Sequence, residues 1–288
     1  MPAMPNIDAK TRVCGIFGHP VGHSLSPAIH NAAFEYLGLP YVYVAHDVLP
    51  EALPAAMAGI RALGYRGLSV TIPHKVSAMA LVDEVHPTAR AIGCINTVVN
   101  DDGVLRGYNS DGRGALGALV RAGADPSGGE VVILGSGGAA RALAMTLALE
   151  SAPTRISLLG VAPEELATLG KDVAASGKSE VTMDALEPAA LARRLEGATH
   201  LLHCTPIGMH PRVEQSVVPA SLLRPGLTVF DAVYNPRRTL LLQDAARAGC
   251  RVVEGLEMFL GQALVQFELW TGQPAPQQVM RDVLEARL

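Results

Sequence analysis

The segment that most constrains the fold is a strand, a glycine-rich turn and a helix at residues 130–149. An apolar run at 130–134 leads into Gly135, Gly137 and Ala140, spaced as G-x-G-x-x-A, and a helical pattern follows over 142–149. This succession is typical of a doubly wound, Rossmann-type domain, because the glycines let the backbone approach a pyrophosphate at the helix N-terminus. A turn that serves only helix–strand packing is the alternative. The flanking strand and helix favour dinucleotide binding.

Strands and helices alternate along the rest of the chain, which predicts an α/β protein. The predicted strands are residues 12–17, 41–47, 69–72, 95–100, 104–108, 155–159, 180–183, 199–203, 228–233 and 251–253. The predicted helices are residues 26–37, 50–63, 112–123, 164–175, 189–195, 240–248, 256–267 and 276–288. Ser26 is the predicted N-cap of its helix, because Pro27 follows it. Asp101-Asp102-Gly103 between two apolar runs predicts a hairpin.

At 288 residues the chain is long for one core, so we expect two α/β domains with a cleft between them. The predicted substrate-binding domain is residues 1–112, completed by the C-terminal helices 256–288. The predicted dinucleotide-binding domain is residues 113–255, with a linker at 124–129. Since aromatic residues make up only 4% of the chain, aliphatic side chains must build both cores.

Charge and hydropathy argue against several classes of protein. The net charge of −4 comes without a Lys/Arg cluster, so no nucleic-acid surface is predicted. No apolar run approaches the ~20 residues of a membrane helix, and no signal peptide is recognised before Val13. Four cysteines lie far apart without a CxxC pair, which is typical of a reducing compartment, and we expect a cytoplasmic protein.

Lys75 lies at a predicted strand-to-helix corner. Val70 and Ile72 alternate with polar residues as in a strand, and Pro73 is a suitable first residue for a helix. A helix N-terminus disfavours an ammonium and lowers its pKa, so Lys75 is a candidate proton shuttle. A solvated surface lysine is the alternative.

Several motifs stand in one order along nearly the whole chain: GHPVGHSLSP at 18–27, VTIPHK at 70–75, CINT at 94–97, GYNSDG at 107–112, GSGGA at 135–139, TPIGM at 205–209, VYNP at 233–236, and GLEM at 255–258 with Gln262. Together they resemble the shikimate dehydrogenase family, including its quinate/shikimate dehydrogenase branch. The resemblance implies an enzyme that interconverts shikimate and 3-dehydroshikimate by hydride transfer with NAD or NADP.

The resemblance also implies roles for individual residues. Lys75 and Asp111 match the catalytic pair. Proton transfer by such groups typically contributes ~10²–10⁴-fold, and either member of a coupled pair can hold the proton. The remaining matches are substrate-binding Ser24, Ser26, Thr71, Asn96, Tyr234 and Gln262, and cofactor-binding Gly135, Ser136, Gly137, Gly138, Ala139, Thr205, Met209, Val233 and Gly255. Three of these residues also have a purely structural interpretation: Ser26 as a helix cap, Asn96 as a hairpin contact and Gln262 as helix surface.

The predicted adenosine end of the cofactor site departs from the family. NAD-selective domains carry an acid after the second strand and NADP-selective ones an arginine, whereas residues 158–163 here are LLGVAP. The absence of both an acid and an arginine favours NAD, or dual or weak cofactor use. Glu164, Arg141 and Arg155 are the candidates to replace the missing residue. Ser69 and His203 stand where many relatives have Asn.

Three functions therefore stay open. The first is shikimate or quinate/shikimate dehydrogenase, since pockets reject an added hydroxyl only modestly. The second is a dehydrogenase of another ring acid such as an aminoshikimate, and the third is a non-catalytic ligand sensor that retains the fold. No metal is expected, because His19 and His23 have no suitably spaced partner. A monomer or homodimer is expected.

Overall fold

The structure is a computed structural model that describes residues 7–287. Residues 1–6 of the predicted first domain and Leu288 of the predicted last helix lie outside the described residues. The chain separates into two compact units: one runs up to Ser110 and resumes at Gln262, and the other is Asp111–Gly261. No helix within residues 7–287 is both long and apolar enough to cross a membrane.

Twelve strands and ten α-helices make up the described chain. The strands are β1 (Arg12–Gly18), β2 (Tyr41–Asp47), β3 (Gly67–Val70), β4 (Glu84–Val85), β5 (Thr97–Asp101), β6 (Val104–Tyr108), β7 (Glu130–Leu134), β8 (Arg155–Gly160), β9 (Glu180–Ala185), β10 (His200–His203), β11 (Thr228–Asp231) and β12 (Arg251–Val253). The helices are α1 (Ser26–Tyr36), α2 (Leu53–Ala62), α3 (Pro87–Ile92), α4 (Asp111–Arg121), α5 (Gly138–Glu150), α6 (Pro163–Ser176), α7 (Pro188–Leu195), α8 (Leu240–Arg247), α9 (Gly255–Thr271) and α10 (Gln277–Glu285). The predicted α/β class is confirmed.

The first unit is built on a mixed six-stranded sheet in the order β2–β1–β3–β5–β6–β4. Strand β1 is parallel to β2 and β3, whereas β5 is antiparallel to β3 and β6. The predicted β5–β6 hairpin is confirmed. Its turn residues Asp102 and Gly103 have φ angles of 53° and 92°, which Asp and Gly tolerate better than other residues.

The C-terminal part of α9 packs on this sheet through Trp270, which is 1% exposed. Its indole N–H donates to the carbonyl oxygen of Val98 at 3.0 Å. The ring lies directly over Gly67, where a Cβ atom would overlap it. Arg66 also donates from Nε to the Trp270 carbonyl oxygen at 2.8 Å. These contacts explain why residues from the end of the chain complete the first unit.

Two local predictions in the first unit are wrong. Strand β3 ends at Val70, and only a short 3₁₀ helix, Ser77–Leu81, follows Pro73. The predicted helix at Pro73 is therefore absent, and Ile72 is exposed instead of half-buried. Ser26 is the first residue of α1 and not its N-cap, which is Leu25 without a side-chain cap.

The second unit is a six-stranded sheet in the order β12–β11–β10–β7–β8–β9, and all its strands are parallel. Taken in chain order within the unit, this is the 3-2-1-4-5-6 arrangement of the doubly wound dinucleotide-binding fold. The strand order reverses between β7 and β10, where such folds place their ligand site. Residues 124–129 form the loop between α4 and β7 inside this unit and do not join the two units.

Candidate active site

The glycine-rich turn after β7 is shaped as a phosphate cradle. Gly135 has φ of 111°, a left-handed conformation that glycine adopts readily, and a Cβ there would lie 3.1 Å from the Cys204 carbonyl oxygen. Gly137 is the N-cap of α5 and Gly138 its first residue; a Cβ at either position would meet nothing within 4 Å. Open space therefore adjoins the unpaired N–H groups at the start of a helix, which suits a pyrophosphate.

A cavity of about 620 Å³ opens at the carboxyl ends of β7 and β10, where the strand order reverses. Among the predicted cofactor-binding residues, its lining includes Gly135, Ser136, Gly137 and Thr205. Gly138 and Ala139 continue the same turn into α5.

Three other predicted cofactor residues lie away from this lining. Val233 and Gly255 come together, since a Cβ on Gly255 would lie 2.6 Å from the Val233 carbonyl oxygen. Met209 is 45% exposed in the loop after β10. These three residues are therefore not placed at the cavity that the other predicted residues share.

Sequence reasoning missed a carboxylate in the lining of this cavity. Glu165, in the first turn of α6, lines it together with Val161 and Ala162, and Ser136 Oγ donates to Glu165 Oε2 at 3.4 Å. Glu187 lines the same cavity, and none of its described lining residues is Arg or Lys. Helix α6 turns Glu165 towards the glycine loop, and residue spacing alone could not show that placement.

The two arginines considered as substitutes for the missing adenosine-site residue form ion pairs with other side chains. Arg155 begins β8, at the sheet edge opposite the cavity, and pairs with Glu130 at 3.0 Å and Glu180 at 3.1 Å. The side chain of Arg141 pairs with Asp172 at 2.6 Å. Neither arginine belongs to the cavity lining. Arg155 is excluded as an adenosine-site residue, because it lies at the start of β8 and the cavity lies at the carboxyl ends of the strands.

His203, the departure noted in the sequence, belongs to a buried hydrogen-bond chain. Its Nδ1 lies 2.9 Å from Asp231 Oδ1 and its Nε2 lies 2.6 Å from Thr205 Oγ1. Asp231 also accepts hydrogen bonds from Thr239 Oγ1 at 2.6 Å and from the Val233 N–H at 2.9 Å. These hydrogen bonds fix the Thr205 hydroxyl at the cavity wall.

In the first unit, the predicted carboxylate-binding hydroxyls follow two neighbouring parallel strands. Thr71 comes directly after β3, and its N–H donates to the Phe17 carbonyl oxygen of β1 at 2.9 Å. The loop after β1 carries Ser24, whose Oγ accepts from the Ser26 N–H at 3.3 Å. Because β1 and β3 are parallel, their carboxyl ends bring this loop and Thr71 to the same edge of the sheet.

Lys75 is half-buried in the turn after β3. Its carbonyl oxygen accepts from the Ile95 N–H at 2.9 Å, and the preceding residue, His74, is buried with Nε2 2.7 Å from the Val48 carbonyl oxygen. These two contacts hold the backbone of the turn. Since no α-helix starts here, the helix-dipole argument for Lys75 does not apply.

Asn96 and Gln262 are both buried, which argues against a solvated helix surface for Gln262. Gln266, four residues further along α9 and 1% exposed, donates from Nε2 to Thr97 Oγ1 at 3.1 Å. Sequence reasoning missed Gln266, although the spacing of four residues places it on the same helix face as Gln262.

Asp111 and Tyr234 belong to the second unit. Asp111 is the first residue of α4, and the Tyr234 ring lies 5.6 Å from the Phe259 ring. The pairing of Asp111 with Lys75, and of Tyr234 with the serines, stays a prediction.

His19 has a carboxylate partner that its sequence spacing did not show. Its Nδ1 lies 2.6 Å from Asp47 Oδ1 at the neighbouring end of β2. Within residues 7–287, no group of three or more His, Cys, Asp or Glu side chains is placed to hold a metal ion.

Comparison with known proteins gives matches over almost the whole chain. The shikimate dehydrogenase substrate binding domain matches residues 16–98, and the shikimate 5'-dehydrogenase C-terminal domain matches residues 255–285. The shikimate dehydrogenase (NADP(+)) of Moorella thermoacetica is 46% identical over 98% of this chain and 95% of its own length. The chain belongs to the shikimate dehydrogenase family.

Other members of the shikimate dehydrogenase family are similar along their full length. The quinate/shikimate dehydrogenase of Escherichia coli is 40% identical over 97% of this chain and 98% of its own. The crystal structure of shikimate 5-dehydrogenase from Listeria monocytogenes, in complex with shikimate and NAD, superimposes with a TM-score of 0.94 at 34% identity. That match covers 98% of this chain and 99% of the Listeria chain.

Proposed function

We propose that this protein is an NAD(P)-dependent oxidoreductase that interconverts shikimate and 3-dehydroshikimate, and also accepts quinate. The observation that carries the proposal is the full-length similarity to the Listeria enzyme, whose structure holds shikimate and NAD. The glycine cradle and the cavity beside it supply a site of the required kind in this chain.

The nicotinamide, when bound, supplies a hydride acceptor or donor. The residues proposed to bind the cofactor are Gly135, Ser136, Gly137, Gly138, Ala139, Thr205, Met209, Val233 and Gly255. Gly135–Ala139 bind the pyrophosphate with backbone N–H groups at the start of α5. Thr205, held by His203, lines the cavity beside them.

Lys75 and Asp111 are the proposed acid–base pair. Oxidation of a secondary alcohol needs a group that takes the hydroxyl proton as the hydride leaves, and the reverse reaction needs the same proton back. The fixed backbone of the Lys75 turn supports this role, because it limits the positions that the ammonium can reach. Either residue of the pair can hold the proton in transit.

The remaining proposed contacts to the substrate are of two kinds, those to its carboxylate and those to its ring hydroxyls. Ser24, Ser26, Thr71 and Tyr234 offer hydroxyl groups to the substrate carboxylate, while Asn96 and Gln262 bind ring hydroxyls. The shared sheet edge of Thr71 and the Ser24 loop supports a common ligand for those two residues.

A matrix of steady-state rates tests the proposal. Shikimate and quinate are each combined with NAD and NADP, and reduction of the nicotinamide is followed by absorbance. We expect turnover of shikimate with at least one cofactor. The proposal fails if none of the four combinations is turned over.

The Lys75→Ala variant separates catalysis from ligand sensing. We expect kcat to fall by about 10²–10⁴-fold, while calorimetry still detects shikimate binding. Lys171→Ala, which removes an exposed lysine on α6, is the matched control and should keep full activity. A Lys75→Ala variant that retains wild-type kcat would contradict the assigned role.

We also propose that the protein works in the cytoplasm as a monomer or homodimer, on the sequence argument from its scattered thiols. Cell fractionation tests the compartment. Light scattering of the purified protein tests the oligomeric state.

A further inference from the structure

The side-chain oxygen of Asn96 is held by three hydrogen bonds. Its Oδ1 accepts from the Ser110 N–H at 2.7 Å, from Thr97 Oγ1 at 2.8 Å and from Ser110 Oγ at 3.1 Å. Because a backbone N–H can only donate, the atom that faces it must be the amide oxygen. The orientation of the Asn96 carboxamide is therefore fixed by the backbone.

A second buried amide fixes the direction of these bonds. Gln266 Nε2 donates to the Asn96 carbonyl oxygen at 3.4 Å and to Thr97 Oγ1 at 3.1 Å. Gln266 Oε1 accepts from Ser69 Oγ at 2.9 Å. Thr97 Oγ1 accepts the bond from Gln266 and donates its own hydroxyl proton to Asn96 Oδ1, and Ser110 Oγ lies 3.1 Å from the same Thr97 oxygen. The Ser110 N–H and the Thr97 hydroxyl thus both donate to the Asn96 side-chain oxygen.

The amide nitrogen of Asn96 lies at the open end of this network. Among the described residues, Asn96 Nδ2 donates to no side chain or carbonyl group. The polar side-chain atoms there that are fully enclosed and lack a partner belong to His30 and Thr146, so Asn96 Nδ2 is not fully enclosed. Nδ2 therefore retains contact with solvent, although Asn96 as a whole is only 3% exposed. The group that Asn96 presents to a ligand consists of two N–H donors and no acceptor.

We propose that Asn96 is a donor-only contact that selects a ring hydroxyl and rejects an ammonium group at the same ring position. A hydroxyl oxygen accepts a hydrogen bond from Nδ2, whereas an ammonium has three donors and no acceptor. This inference rests on the proposed function, which places Asn96 against a ring substituent. It assigns the site to hydroxylated ring acids and excludes aminated ones of the aminoshikimate type.

The wild-type enzyme provides the first test. Each ring hydroxyl that is not oxidised is replaced in turn by hydrogen or by an amine, and kcat/KM is measured below pH 8. At the position that Asn96 contacts, we expect the hydrogen analogue to lose about tenfold and the ammonium analogue about a hundredfold or more, because an unpaired donor costs less than opposed donors. The proposal is wrong if, at every position, the ammonium analogue reacts as well as the hydrogen analogue.

The Asn96→Asp variant provides the second test. Its Oδ1 can keep the three hydrogen bonds, while Oδ2 becomes an acceptor that attracts an ammonium. We expect the preference for amine over hydroxyl to rise by about a hundredfold relative to wild type. Asn100→Asp is the matched control, because Asn100 lies on the same hairpin and its Oδ1 only accepts the Gly103 N–H. It should leave the preference unchanged.

Binding measurements separate this inference from the proposed function. Calorimetry with shikimate and its amine analogue reports the preference even if no reaction occurs. Hydroxyl preference without turnover would overturn the dehydrogenase assignment and leave the donor-only contact standing. Turnover of shikimate together with equal binding of both ligands would support the dehydrogenase assignment and overturn the donor-only contact.

Discussion

His203 Nδ1 lies 2.9 Å from Asp231 Oδ1, and the two side chains are only 2% and 0% exposed. A buried carboxylate needs hydrogen-bond donors, because it has lost its water shell. The imidazole supplies one of these donors and in turn holds Thr205 at the cavity wall. The pair therefore connects the core of the second unit to its proposed cofactor site.

Replacement of His203 should affect stability and cofactor binding together. We expect His203→Leu to lower the free energy of unfolding by about 3 kcal/mol, since it removes a donor from the buried Asp231. His203→Asn, which can still donate to Asp231, should cost less. Urea unfolding measures the stability, and nucleotide titration should show weaker binding in the Leu variant. Equal stability of the two variants would contradict the role of the hydrogen bond.

Glu165 should disfavour the 2'-phosphate of NADP. A carboxylate beside a phosphate repels it, so we expect Glu165→Gln to tighten NADPH binding about five- to tenfold and to leave NADH binding unchanged or weaker. Fluorescence titration with the two reduced cofactors measures the ratio. Glu164→Gln is the matched control, because Glu164 is adjacent and exposed but does not line the cavity. Similar ratios for both variants would show that Glu165 does not discriminate.

Two glycines should respond to alanine in opposite directions. Gly67→Ala places a methyl group against the Trp270 ring and should destabilise the protein by about 1–3 kcal/mol. Gly59 lies inside α2 with nothing within 4 Å of an added Cβ, so Gly59→Ala should stabilise by about 0.5–1 kcal/mol. Denaturant unfolding compares them, and a stable Gly67→Ala protein would refute the close approach.

His30 should make stability depend on pH. Complete burial lowers its pKa from 6.5 to about 3. Between these values the unfolded chain binds a proton that the folded chain does not, so stability falls as pH drops below about 6.5. From pH 6.5 to 5 this group should cost about 2 kcal/mol. His30→Phe keeps an aromatic ring beside Tyr43 and should remove that part of the slope in urea unfolding. An unchanged slope would contradict the assignment.

The sequence predicted elements with strong local signals and missed those that tertiary contacts decide. The turn at Gly135 was found because its glycines follow an apolar strand, and the Asp102-Gly103 hairpin because few residues tolerate its dihedral angles. The helix at Pro73 was wrong, since a suitable first residue does not ensure that a helix follows. Glu165 and Gln266 were missed as site residues, because each reaches its neighbours only after distant segments of chain have packed together.

The position of Trp270 in the first unit has a consequence for synthesis on the ribosome. The second unit is one continuous stretch, Asp111–Gly261, so all its strands are synthesised before Trp270. The first unit begins earlier, yet the surface around Gly67 lacks its indole until the last part of the chain appears. Domains that fold as units during translation complete themselves when their last segment arrives. The amino-terminal sheet therefore keeps an apolar face uncovered until this C-terminal segment packs on it.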